Sequence, residues 1–164
     1  KQKTAYEIMP SLVGSEMCIR DRGRGGSGRR GIGVREEARL WMEDAQYDLD
    51  CARDMFEKER FNYVVWLSRQ AVEKMLKAAY MVTLQKPTPV AHNLMAIARS
   101  FIPDSEIPEG IASDLAFLNP HYVVTRYVDA ALGKPSDLFN RSFAEEALCR
   151  AERVLEWIRG KYLT

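Results

Sequence analysis

Between Phe61 and Leu84 apolar residues recur at steps of three and four, and two prolines shut the run off. Val64, Leu67, Ala71, Met75, Ala78 and Val82 fall on one face of a helix at that spacing. Pro87 and Pro89 cannot continue it, because proline lacks the N–H and its ring clashes with the preceding turn. A long amphipathic helix hides its stripe only against other elements, so the chain must supply partners with matching stripes. Gln70, Glu73, Lys74 and Lys77 lie beside this stripe, with Glu73 four residues before Lys77, the favourable order for an intrahelical ion pair.

The partners are helical too. Ala38, Trp41, Ala45, Leu49, Ala52 and Phe56 make a second stripe, with Glu43, Asp44, Asp48, Asp50 and Asp54 on the other faces. Leu94, Ile97, Ala98 and Phe101 fit a short helix, and a third long element runs from Glu109 to about Leu118. Asn119-Pro120 reads as an N-cap followed by proline at the first helical position, a restart of the chain. Ser142-Phe-Ala-Glu145 is a capping-box pattern opening the last helix, whose apolar face is Ala147, Leu148, Ala151, Leu155, Ile158 and Tyr162. No alternating segment is long enough for a strand. The expected fold is all-α: an antiparallel up-and-down bundle of four main helices, the third broken at Asn119-Pro120, with a short extra helix near 92–101.

A chain of 164 residues suits one domain. Residues 1–34 differ in kind from the rest: seven Lys/Arg stand against three acids, while the remainder carries 17 basic and 20 acidic residues. Residues 1–22 resemble translated sequencing-adapter readthrough, so 1–34 is expected to be a non-native or disordered leader and 35–164 the folded domain. Gly23-Arg-Gly-Gly-Ser-Gly28 matches a dinucleotide fingerprint, but no strand precedes it. The mildly acidic body lacks the basic footprint of sequence-independent nucleic-acid binding. Cys18, Cys51 and Cys149 have no CxxC spacing, and Cys51 and Cys149 read as small core hydrophobes, which fits a reduced, cytoplasmic setting. No apolar run reaches the length of a membrane span, so no membrane partner is expected.

Few constellations could carry chemistry. A di-metal bundle needs Glu-x-x-His pairs, but Pro89 stands three before His92 and Leu118 three before His121. Two separated His and isolated Cys give no zinc spacing, so no metal is expected. Asp44 with Asp48, or Asp50 with Asp54, could share a cation, although such carboxylates usually form a solvated face. Lys74 and Lys77 read as solvated charges on buried stems, or as ligand contacts. His92 reads as a cap or loop-packing residue. Thr125, Arg126, Tyr127 and Asp129, with His121 nearby, form a dense polar cluster beside the helix break. There Arg126 serves either a structural ion pair with Asp129 or phosphate recognition through its planar fork of donors.

Taken together, the Ala45–Ala52 region, Gln70-Ala71 through Glu73-Lys74 to Lys77-Ala78, His92-Asn93-Leu94, Arg126-Tyr127, and Ala151-Glu152 through Glu156-Trp157 resemble the HEPN family of small prokaryotic helical domains over Glu37 to Tyr162. Several relatives continue the Arg-Tyr pair with Pro-Asp; here Val128 replaces the proline and Asp129 keeps the acid. Many HEPN proteins are RNA-cleaving toxins carrying Arg, four to six residues, then His. After Arg126 that distance falls on Ala131, Leu132 and Gly133, and no other Arg stands correctly before His92 or His121. The resemblance therefore implies a non-catalytic module without cofactor, a nucleotide- or partner-binding subunit of a nucleotidyltransferase or toxin–antitoxin type system. Arg126, Tyr127, Asp129, Lys74, Lys77 and His92 are its candidate nucleotide or phosphate contacts. Two alternatives stand beside it: a ribonuclease toxin using His121 with Arg126, and a purely structural dimerising bundle. Leu40, Met42, Val154 and Trp157 are apolar beyond the main stripes and are expected at a homodimer interface.

Overall fold

The computed structural model describes residues 33–163, so the expectations for the leader lie outside the described residues except at Gly33 and Val34. The elements in chain order are α1 (Val34–Glu57), α2 (Phe61–Leu84), α3 (Leu94–Arg99), α4 (Glu109–Leu118), α5 (Val128–Ala131), α6 (Pro135–Leu138) and α7 (Arg141–Tyr162). Single 3₁₀ turns stand at Asp104–Glu106 and Asn119–Tyr122, and no strand occurs among the described residues. The fold is an all-helical bundle.

Helix α2 is its axis and packs against both α1 and α7, which also touch each other. Both apolar and polar residues are buried along it, from Val64 and Val65 through Ala71, Val72, Met75 and Leu76 to Met81. Leu49 and Ala52 of α1, Leu115 and Leu118 of α4, and Ala151, Val154, Leu155 and Ile158 of α7 complete the core. The turn from α1 to α2 is tight because α1 ends in a Schellman arrangement: Arg60 N–H donates to Met55 O at 2.9 Å and Glu59 N–H to Phe56 O at 3.1 Å. Glu59 takes the left-handed position at φ 57°, where glycine is usual. Ion pairs then fix the neighbours: Lys74 of α2 meets Asp44 at 2.5 Å and Asp48 at 2.6 Å on α1, and Arg53 of α1 meets Glu152 of α7 at 2.7 Å.

Two expected helix starts form differently. The Asn119 side chain does not cap its own segment: Asn119 has helical angles, and its Oδ1 accepts from Leu94 N–H at 2.8 Å, closing the first turn of α3 beside Asn93. The chain after Pro120 accordingly passes through a 3₁₀ turn and two four-residue helices rather than restarting one long helix. The cap of α7 is Asn140, whose Oδ1 accepts from Phe143 N–H at 2.9 Å, so the helix starts before Ser142 and no capping box forms.

Burial also revises the expected surface. Val154 is fully buried core, Met42 and Trp157 pack partly buried against the core, and of the four supposed interface residues Leu40 alone counts as exposed. Cys149 is exposed and Cys51 half-buried. Cys149 sits two residues from both Ala147 and Ala151, which turns it to the opposite side of α7 from the buried stripe. No helix among the described residues is long and apolar enough to cross a membrane.

Candidate functional site

A polar chain runs through the middle of α2. Arg69, Glu73 and Lys77 stand one turn apart, and each is buried; Arg69 is only 1% exposed. Arg69 donates to Glu73 Oε2 at 2.7 Å, and Lys77 donates to Glu73 Oε1 at 2.9 Å. Arg69 also donates to the His92 and Asn119 carbonyl oxygens, fastening the α2–α3 loop and the end of α4 to the axis. Three buried ionic groups hold only because their charges and donors are matched. Burial works to raise the Glu73 carboxyl, but hydrogen bonds from Lys77, Arg69 and His92 overcome it and hold the group below its ordinary value.

His92 joins this chain from the loop before α3. Its Nδ1 lies 3.0 Å from Glu73 Oε1, and its ring stacks on Tyr122 with centres 4.9 Å apart. The side chain is nevertheless 57% exposed. An ionised carboxylate can only accept, so the Nδ1 that faces Glu73 is the donor of this contact. This is more than the cap or loop-packing role read from sequence; the cap is the neighbouring Asn93.

Tyr122 gathers the remaining charges. The Arg69 guanidinium lies 4.6 Å from its ring centre and the Arg126 guanidinium 4.8 Å. Arg126 also lies over Trp66 and Tyr127, each at 5.2 Å, and donates through Nε and Nη2 to Tyr122 O at 3.1 and 2.7 Å. Among the described residues no carboxylate comes within ion-pair distance of Arg126, and the ion pair with Asp129 read as one option from sequence does not form. Asp129 is exposed on α5.

The other candidates fall elsewhere. Lys74 spends its charge on Asp44 and Asp48, so the cation shared by those carboxylates is this ammonium. Lys77 is buried on Glu73 and lies 5.5 Å from the Trp41 ring centre, so its charge is not solvated. His121 packs edge-on against Phe117, Phe139 and Phe143, whereas the rings around Arg126 among the described residues are Trp66, Tyr122 and Tyr127. Among the described residues no group of three or more His, Cys, Asp or Glu is placed to hold a metal ion. Sequence reading missed Arg69, Trp66 and Tyr122. Arg69 was legible as the first member of a ladder continuing at Glu73 and Lys77; Trp66 and Tyr122 gave no local signal.

The class of protein defined by this fold is a small all-helical bundle, here with a buried ionic spine along α2. The HEPN domain family matches residues 38–161, and the chain belongs to that family. Among curated proteins it is similar to "Putative toxin MJ1304" of Methanocaldococcus jannaschii, 29% identical over 132 residues that cover 74% of this chain and 86% of that one. Among solved structures it is similar to TT1696 from Thermus thermophilus, with a TM-score of 0.70 and 26% identity over 76% of this chain and 98% of that one. ST0689, an archaeal HEPN homologue, matches in fold with a TM-score of 0.64 and 24% identity, covering 76% and 97% of the two chains.

Proposed function

We propose that this chain is the ligand-binding HEPN module of a toxin–antitoxin type system, and that it holds a nucleotide or RNA phosphate at Arg126 beside Tyr122 and His92. The observation that carries the reading is the state of the Arg126 guanidinium. It is positioned by a backbone carbonyl and three aromatic rings, none of which neutralises it, so its charge stays available to an anion. Tyr127, partly exposed, supplies a face on which a base can stack. The toxin named among the relatives supports the system-level part of the reading. In this reading the module works as a homodimer beside a partner, a minimal nucleotidyltransferase or an antitoxin.

The test is calorimetric titration of the protein with ATP and with a short single-stranded RNA, at two salt concentrations. Arg126→Ala should weaken binding about tenfold or more and flatten the salt dependence, with the melting temperature little changed. Unchanged affinity in the variant would remove Arg126 from the site.

A further inference from the structure

Residues 119–139, between α4 and α7, are lightly anchored. They form one 3₁₀ turn and two four-residue helices, and only Thr125, Ala131 and Phe139 among them are buried. Asn62 of α2 donates to Thr125 O at 3.1 Å, Arg69 reaches the Asn119 carbonyl, and Thr125 Oγ1 donates to His121 O at 2.9 Å. Tyr122 and Arg126 add ring contacts to His92 and Trp66. The His121 ring is a further hold. It enters a cage of Phe117 from α4, Phe143 from α7 and Phe139 from the stretch itself, with ring centres 5.9, 5.2 and 5.7 Å away.

Inside the cage the buried Nδ1 of His121 meets no donor or acceptor among the described residues. A neutral imidazole tolerates this by keeping a lone pair there and its proton on Nε2. The cation carries a proton on both nitrogens, so Nδ1–H becomes a buried donor without an acceptor. No acid among the described residues lies within ion-pair distance to offset that charge. Glu73 of α2 is taken by Arg69, Lys77 and His92, and Asp114 of α4 by Arg150 and Arg153 of α7. Glu146 of α7 pairs with Arg150, whose guanidinium lies 4.4 Å from the Phe117 ring centre, and Asp129 and Asp137 are exposed. We propose that His121 is an acid-sensitive latch: when its imidazole gains a proton, the ring leaves the phenylalanine cage and residues 119–139 detach, while α1, α2 and α7 stay packed. Outside the cage both N–H groups donate to water. Burial and repulsion from Arg69 depress the caged imidazole below 6.5, so the latch is closed above that value and opens as the pH falls through the caged value. The core of α1, α2 and α7 is apolar along its shared stripes and has no such proton to gain.

The experiment is amide hydrogen exchange of the full chain, read by mass spectrometry at about pH 7.5 and 5 and corrected for the intrinsic pH dependence of exchange. In the wild type, residues 119–139 should lose protection about tenfold or more at the lower pH, while α1, α2 and α7 keep theirs. His121→Phe fills the cage with a ring that cannot titrate and should keep the stretch protected at both values. That variant retains His92, so a loss equal to that of the wild type assigns the effect to another group and overturns the latch. A wild type without loss overturns it as well, and so does a loss shared evenly by all helices. Should His121→Phe fail to fold by circular dichroism, the wild type decides. The chain has two histidines, and nuclear magnetic resonance identifies the caged imidazole by its cross-peaks to phenylalanine ring protons. The pH midpoint of the exchange change should coincide with the titration of that imidazole, and coincidence with His92 instead overturns the proposal. Backbone protection is the readout, so the latch stands or falls apart from what Arg126 binds.

Discussion

Arg69 and Glu73 face each other at 2.7 Å one turn apart on α2, both buried, and the fastenings of two loops depend on the pair. Removing one partner of a buried ion pair leaves the other charged and desolvated, which costs about 3–5 kcal/mol. Arg69→Ala is therefore expected to lower the unfolding free energy by about that amount, and to loosen the His92 loop before the rest of the bundle opens. Urea unfolding gives the first quantity and amide hydrogen exchange at Leu94 to Ala98 the second. A loss below about 1 kcal/mol would show that the pair contributes no more than an exposed one.

Much of this architecture is legible in the sequence. The stripe ending at Pro87 and Pro89 places α2 at its observed bounds, because three- and four-residue periodicity and proline are local signals. Caps are local too, but adjacent candidates compete, and at α7 Asn140 takes the role read for Ser142. The site is hidden for a different reason. Arg126 is close to Tyr122 along the chain, but His92 reaches the Tyr122 ring only when the fold brings the loop before α3 against the turn after α4. Asn119 illustrates the same limit, since the N–H it serves is 25 residues away.

Asp114 is a second place where burial and charge coincide. This α4 carboxylate is 2% exposed and accepts from Arg150 at 2.9 Å and from Arg153 at 2.7 and 3.0 Å, both on α7. Either arginine can serve it alone, so Arg153→Ala is expected to cost less than about 1 kcal/mol. With Arg150→Ala added, the carboxylate is buried without a cation, and the combined loss should exceed the sum of the single losses by about 1–3 kcal/mol. Equilibrium denaturation of the four proteins of the cycle measures the coupling. Strict additivity would mean that water reaches Asp114.

His121 gives the protein a pH-dependent component. Burial, reinforced by repulsion from Arg69, holds its imidazole below the ordinary value of 6.5. A group whose value is depressed in the fold stabilises it fully above that ordinary value, and the contribution fades as the pH falls through the folded value. His121→Phe keeps an aromatic ring against Phe117, Phe139 and Phe143 without the proton equilibrium. The wild type should therefore lose stability relative to His121→Phe between about pH 7.5 and 5. Chemical denaturation at both pH values checks this, and two proteins that fall in parallel would exclude His121 as the source.

Self-association is expected through α1 and not through the apolar residues of α7. Leu40 is 40% exposed and Tyr47 66% exposed on α1, and with Glu37, Trp41, Glu43 and Asp44 they line a shallow cleft on the outer side of that helix. Val154 has no share in any surface, because it is core. The two positions should then respond differently to a charge. Leu40→Lys is expected to keep the helical signal and melting temperature while turning a two-fold dimer into a monomer, as exposed apolar surface in symmetric oligomers commonly lies at the seam. Val154→Asp places a carboxylate without a partner in the core and should unfold the domain, at a cost above about 4 kcal/mol. Light scattering after size exclusion, with circular dichroism on the same fractions, separates the two effects. A wild type that runs as a monomer at micromolar concentration would end the dimer expectation, and loss of helicity in Leu40→Lys would move Leu40 into the core.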